Sequence, residues 1–242
     1  MSSAAAETID PPRENRAQRR KARTEKAILE SAEELFLERG FHGVTVDEIA
    51  DFADVAVGSI YGHFNSKEGL YIALLERALE VEERHMAAAF DESLSPIQQL
   101  FRAGESYLRF YFDHPGYFRI LVFPHLDARP PDQIPVAAQR LAEKAEGQVT
   151  RLAEIIESCA RSGIIRAFDP YLAAKFMLGA WNGVISLNLR ADRLRLSDEE
   201  LQSVIREGTR MLAEGLAAMQ LRDESGGVFD IFSNLATGRE RA

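Results

Sequence analysis

The chain has 242 residues, 46% hydrophobic and 28% charged, with a formal net charge of −9. That balance is ordinary for a soluble globular protein and suits one large domain or a small one beside a larger one. No apolar stretch is long enough for a transmembrane helix and the polar N-terminus lacks the apolar core of a signal peptide, so a cytoplasmic protein without a membrane partner is expected. A single cysteine, Cys159, excludes an intramolecular disulfide; set in an apolar helical pattern, it reads as a small core residue.

In chain order, residues 1–20 are polar, contain Pro11 and Pro12, and are expected to form a flexible basic arm. Arg13 to Lys26 is locally +5, and for nucleic-acid binding such a distribution matters more than the net sum. From Lys21, Ala27, Ile28, Ala32, Leu35 and Phe36 recur three and four apart, the stripe of an amphipathic helix that Gly40 closes. Arg39 is expected as a solvated helix end. Thr45-Val-Asp-Glu48 is a capping box opening a short helix with Ile49 and Ala50 inward. After a turn at Ala53-Asp54-Val55, a second short helix runs from Val57 to Phe64. Ser66 caps a long helix with Leu70, Leu74, Leu75 and Leu79 on one face, reaching about Phe90.

Helical periods continue through 96–113 and from Pro115 to Phe123, and 124–135, with four prolines, reads as an exposed loop. An amphipathic helix is predicted over 137–161, ending at Gly163. Asp169-Pro170 opens another that reaches Arg190, and a second capping box, Ser197 to Glu200, opens the last. The class is all-α with about nine helices: a helix-turn-helix domain over 21–75, a larger helical domain over 76–221, and a tail over 222–242 expected to be mobile.

The two short helices, braced by a helix on each side, form a helix-turn-helix arrangement, in which the second helix enters the major groove of DNA. Val57, Gly58, Ser59 and Gly62 would face base edges, where small side chains permit close approach. Tyr61, His63 and Lys67 are placed for flanking phosphates, and Thr45 for another at a helix N-terminus. Phe64 is expected in the small domain's core.

The run from Ala27 to Glu76 resembles the DNA-binding domain of the tetracycline-repressor-like (TetR) family, through Ala32, Leu35-Phe36, Gly40-Phe41, Thr45-Val46, Ile49-Ala50, Gly58, Ile60-Tyr61, His63-Phe64 and Ser66 to Leu70. The resemblance implies a homodimeric regulator with a C-terminal ligand pocket and a palindromic double-stranded operator. It further implies that Arg16, Arg19, Arg20 and Arg23, on the basic arm, track the minor groove. Two positions depart from the family pattern: Asp54 stands where glycine is usual in the turn, and Ala56 where Ser or Thr usually caps the recognition helix. Residues 1–70 carry nine bases against thirteen acids, which limits non-specific attraction to DNA.

Beyond residue 76 the likeness is looser. His114 to Leu121 and Leu178 to Leu187 resemble parts of one regulatory-domain type of the family, in which a histidine commonly stands at the position of Asn182. Tyr107, Phe110, Tyr111, Phe118, Phe123, Phe176, Met177 and Trp181, with Asn182, suit a small hydrophobic or aromatic effector, and several are expected to line a cavity. Gly179 and Gly183, and Gly208 and Gly215, place small residues on the last two long helices, expected to make the dimer; packing within one chain is the alternative. The expected function is a ligand-released repressor, with an activator or a protein-controlled regulator as alternatives. A helical-bundle enzyme is a remote alternative: Glu82-x-x-His85 supplies only half of a carboxylate-bridged metal signature, and no nucleophile elbow, phosphate loop or dinucleotide fingerprint is present. No cofactor, metal or catalytic residue is expected.

Overall fold

The computed structural model describes residues 16–123 and 136–217. The expected loop over 124–135, the tail over 222–242 and the arm before Arg16 lie outside the described residues. Nine α-helices and one 3₁₀ turn are described: α1 (Arg16–Arg39), α2 (Val46–Phe52), α3 (Val57–Phe64), α4 (Lys67–Met86), the 3₁₀ turn (Ala87–Phe90), α5 (Pro96–Asp113), α6 (Pro115–Val122), α7 (Val136–Arg161), α8 (Pro170–Asn188) and α9 (Asp198–Leu216). The all-α class is as expected, and none of the described helices is long and apolar enough to cross a membrane.

Helix ends follow local chemistry. Asp169 accepts hydrogen bonds from the N–H groups of Tyr171 and Leu172 behind Pro170, and Ser197 and Glu200 close a reciprocal capping box at the start of α9. Gly40 and Gly163 end their helices at φ of +73° and +69°, left-handed geometry that costs glycine nothing. Two boundaries differ from expectation. α4, expected to reach about Phe90, ends at Met86 and passes into the 3₁₀ turn. α1 begins at Arg16, so the last five residues of the expected flexible arm are helical. Beyond Pro12 nothing in Arg-Ala-Gln-Arg-Arg-Lys-Ala opposes a helix, and every one of these residues favours it.

The chain divides into two compact units between Leu74 and Leu75, so α4 contributes residues 67–74 to the first and 75–86 to the second. The first unit's core joins Ile28, Ala32 and Phe36 of α1 to Ile49 of α2, Ile60 and Phe64 of α3, and Leu70 and Tyr71 of α4, all buried. Tyr71 meets Phe36 edge-on at 5.5 Å and Phe41 at 5.1 Å between ring centroids.

In the second unit α5 is the central helix, packed against α6, α7, α8 and α9. Phe110 and Phe118 are fully buried at its centre. The segment after α7 returns to the end of α9, where Ile165 and Ala217 form an isolated antiparallel bridge and the Arg166 N–H donates to the Leu216 carbonyl at 2.8 Å. Cys159 is buried, which pushes its thiol up to about 12 and keeps it protonated and unreactive.

Candidate nucleic-acid interface and effector cavity

α2 starts where Thr45 and Glu48 satisfy each other. The Thr45 N–H donates to Glu48 Oε2 at 2.7 Å, the Thr45 hydroxyl donates to the same oxygen at 2.9 Å, and the Glu48 N–H donates to Thr45 Oγ1 at 3.2 Å. Arg39 is not a free helix end: its guanidinium lies 2.7 Å from Glu48 Oε1. The bonds from Thr45, then that from Arg39, hold the Glu48 carboxyl down at about 2. Thr45 therefore has its donors engaged by a carboxylate, which a phosphate would have to displace.

α3 presents Gly58, Tyr61 and Gly62 on one exposed face, while Ile60 and Phe64 are buried on the other. A methyl group added at either glycine would meet nothing within 4 Å, so this face is open to close approach. Tyr61 is 49% exposed. Val57 and Ser59 are half-buried at its edge.

The remaining predicted contacts are less free than the sequence suggested. His63 leans on its own unit, with Nδ1 3.7 Å from Glu25 of α1 and a side chain only 12% exposed. The Lys67 ammonium sits 4.4 Å above the Phe41 ring, and partial burial lowers its pKa against the opposing charge of Glu48. Arg16, Arg19, Arg20 and Arg23 are all exposed on α1 and, spaced three and four apart, share one face of that helix.

The second unit holds a partly open cavity of about 360 Å³. α4 contributes Leu75, Leu79, Glu82 and Met86; α5 Tyr107; α7 Leu141, Gln148 and Leu152; and α8 Leu178, Trp181 and Asn182. Gly104 of α5 lets the indole lie close, since a Cβ there would stand 3.3 Å from Trp181 Cζ2. The Tyr107 hydroxyl donates to Asn182 Oδ1 at 2.6 Å, and the Tyr107 and Trp181 rings lie 5.8 Å apart. Glu82 is 8% exposed; burial, with Glu83 adjacent, pushes its carboxyl up to about 7. Burial, then the Glu82 charge, raises the Tyr107 phenol well above its ordinary range.

Of the nine residues expected at an effector site, Tyr107, Trp181 and Asn182 line this cavity. Phe110 and Phe118 fill the core, and Met177 is buried without reaching the void. Tyr111 donates instead to Asn188, whose amide bonds the Leu196 carbonyl and Asp198, so it anchors the corner between α8 and α9. Phe123 and Phe176 are exposed. Sequence reasoning missed Glu82 and Gln148. Glu82 was legible: Leu75, Leu79, Glu82 and Met86 follow helical spacing, with one acid set in an apolar stripe. His85, the other half of that motif, contacts the Val81 carbonyl and Asp113 instead. Among the described residues no group of three or more His, Cys, Asp or Glu could hold a metal ion.

A model of the family described as bacterial regulatory proteins, tetR family, matches residues 28–74, the segment that builds this helix-turn-helix. Residues 28–74 form a DNA-binding domain of the TetR family. It is 25% identical over 202 residues to the HTH-type transcriptional repressor DhaR of Mycobacterium sp. (strain GP1), spanning 78% of this chain and 94% of that protein. It is 36% identical over 91 residues to the HTH-type transcriptional activator FasR of Mycolicibacterium smegmatis, or 37% of this chain and 42% of that one. Among solved structures, AibR in complex with isovaleryl coenzyme A and operator DNA matches with a TM-score of 0.62, covering 80% of this chain and 98% of that one; at 20% identity the likeness is one of fold. The chain is a helix-turn-helix transcription regulator, as these relatives are.

Its two departures from the family pattern have visible consequences. Asp54 adopts φ +52°, a left-handed conformation that aspartate tolerates better than most residues, and the turn closes with the Val55 N–H on the Ala50 carbonyl at 3.0 Å. Ala56 precedes α3 in extended geometry and offers no side-chain cap, so α3 begins on backbone bonds alone.

Proposed function

We propose that the protein is a homodimeric repressor whose hold on a palindromic operator is released when a small apolar or aromatic molecule enters the cavity of the second unit. The observation that carries this reading is the cavity wall: residues 75–86 of α4 line it, while residues 67–74 of the same helix belong to the unit that presents α3. A ligand that prefers one placement of α4 shifts the population of DNA-competent forms by its differential affinity, and by no more. On DNA, Gly58, Tyr61 and Gly62, with Val57 and Ser59 beside them, would read the groove. The arginine face of α1 would supply attraction that the acidic remainder of the unit lacks.

Dimerisation through α8 and α9 is supported by two largely exposed stripes. Leu172, Phe176, Gly179 and Gly183 share one face of α8, and Val204, Gly208, Met211 and Gly215 one face of α9. A Cβ added at any of these four glycines would meet nothing within 4 Å, which argues against packing within the chain as their purpose.

Fluorescence anisotropy with the DNA upstream of the protein's own gene, at two salt concentrations and against an unrelated duplex, tests the reading. Selective binding at two subunits per site or a multiple, and release by a member of an aromatic small-molecule panel, are expected. Tightening by the ligand would favour an activator, as the FasR relative is named, and release only by another protein would sink the repressor reading.

A further inference from the structure

The polar groups of the cavity narrow the chemistry of what enters it. Among the described residues its lining holds one acid, Glu82, and no lysine, arginine or histidine. The nearby cations are engaged elsewhere, Lys144 with Glu80 at 3.8 Å and Arg151 with Glu83 at 3.3 Å. Glu82 makes neither an ion pair nor a hydrogen bond with the described residues. A buried carboxyl without a counter-charge is costly and is found where something pairs with it. On α7, Gln148 Oε1 is buried and accepts no hydrogen bond, the one such orphan among the described side chains. Asn182 Oδ1 is already taken by Tyr107. Glu82 and Gln148 therefore both call for donors.

We infer that the cavity takes an apolar molecule carrying a protonated amine, its ammonium held by Glu82 and the Gln148 side-chain oxygen and its body lying against Trp181 and Tyr107; this rests on reading the cavity as the effector site. An ammonium supplies three donors and one positive charge, which matches Gln148 Oε1, which lacks a donor, and the Glu82 carboxyl, which lacks a counter-charge. The neighbouring aromatic faces add attraction for a cation and apolar surface for its stem. A carboxylate or phosphate would meet Glu82 with no base beside it, so the coenzyme A thioester bound by AibR is a poor guide here. The cavity, about 360 Å³, accommodates a ring and a short alkyl chain.

The chain contains one tryptophan, Trp181, so quenching of its emission reports directly on the cavity. The full-length protein is titrated at neutral pH with 4-phenylbutylamine, 4-phenylbutanol and 4-phenylbutanoate, which share one body and differ in the head group. The amine is expected to bind roughly tenfold tighter than the alcohol or better, and the carboxylate weakest, the size of one charge-assisted buried hydrogen bond. Glu82→Gln should bring the amine to the level of the alcohol, and Gln148→Leu should weaken the amine more than the alcohol, so either variant carries the test if the other fails to fold. Equal or tighter binding of the carboxylate, absence of amine binding, or an amine preference that survives Glu82→Gln overturns the inference. Amine binding that leaves the operator occupied would instead sink the release mechanism while this inference stands. Release by 4-phenylbutanoate with quenching of Trp181 would do the reverse.

Discussion

Glu82 holds its proton more tightly in the folded protein than in the unfolded chain, its carboxyl rising from an ordinary 4.5 to about 7 through burial first and the neighbouring Glu83 second. Folding is therefore favoured most while Glu82 is protonated in both states, below about pH 4.5, and loses stability as pH rises from there through about 7. At about 1.4 kcal/mol per pH unit, the ionised carboxyl carries a penalty of about 3 kcal/mol at pH 8. The other groups facing it are the Tyr107 phenol of α5, protonated throughout this range, and the Glu80–Lys144 and Glu83–Arg151 pairs between α4 and α7. Glu82→Gln should gain stability relative to the native chain on going from pH 5 to pH 8 in denaturant unfolding; a difference that does not move with pH would mean that Glu82 is solvated. On the DNA side, Tyr61→Ala removes an exposed side chain and should weaken operator binding by about 1 kcal/mol with little change in melting temperature. Lys67→Ala should flatten the salt slope by about one and also lower stability, because the ammonium rests on Phe41. Unchanged operator binding in both variants would remove these residues from the interface.

The helices of the reading unit start with unequal security. α2 has a complete capping box reinforced by Arg39, whereas α3, the helix proposed to enter the groove, has alanine at its cap. Ala56 is exposed and already in the extended geometry that a capping serine adopts. Ala56→Ser should therefore stabilise the helix-turn-helix unit by about 1 kcal/mol. A melting temperature that fails to rise would show that α3 is held by Ile60 and Phe64 alone. The basic segment also changes character at this scale. Within a helix, Arg16, Arg19, Arg20 and Arg23 form a stripe of fixed spacing, suited to a row of phosphates more than to the narrow groove a flexible arm would follow.

At the scale of the whole molecule the informative surface is the exposed apolar one that the described residues of α8 and α9 present. Phe176 and Met211 are 63% and 64% exposed, on stripes of α8 and α9 where a Cβ added at Gly179, Gly183 or Gly208 would meet nothing within 4 Å. Large exposed apolar side chains in a row mark an interface more often than open surface. Phe176→Glu or Met211→Glu should shift the protein from dimer to monomer in light scattering, with helical content retained because neither side chain supports the core. A dimer that persists in both variants would move the interface away from α8 and α9.

Helix positions were legible because what determines them is local. Capping boxes at Thr45 and Ser197, Asp169-Pro170, and apolar residues three and four apart act over one or two turns, and the chain obeys them. The helix-turn-helix was legible as well, since the residues that build it lie within about fifty positions of one another. The cavity was not. Phe110, Phe118, Tyr107 and Trp181 share the same helical periodicity, yet two fill the core and two border a void. A void is set by how α4, α5, α7 and α8 together fail to fill space, and no single helix encodes it. The engagement of Lys67 by Phe41 and of His63 by Glu25, and the outward turn of Phe176, were likewise decided by which surfaces meet. The sequence by itself determined the helices, most of their ends and the helix-turn-helix motif; tertiary packing alone decided which side chains close on one another, which stand open, and that Glu82 alone of the α4 carboxyls borders the cavity, because those depend on neighbours distant along the chain.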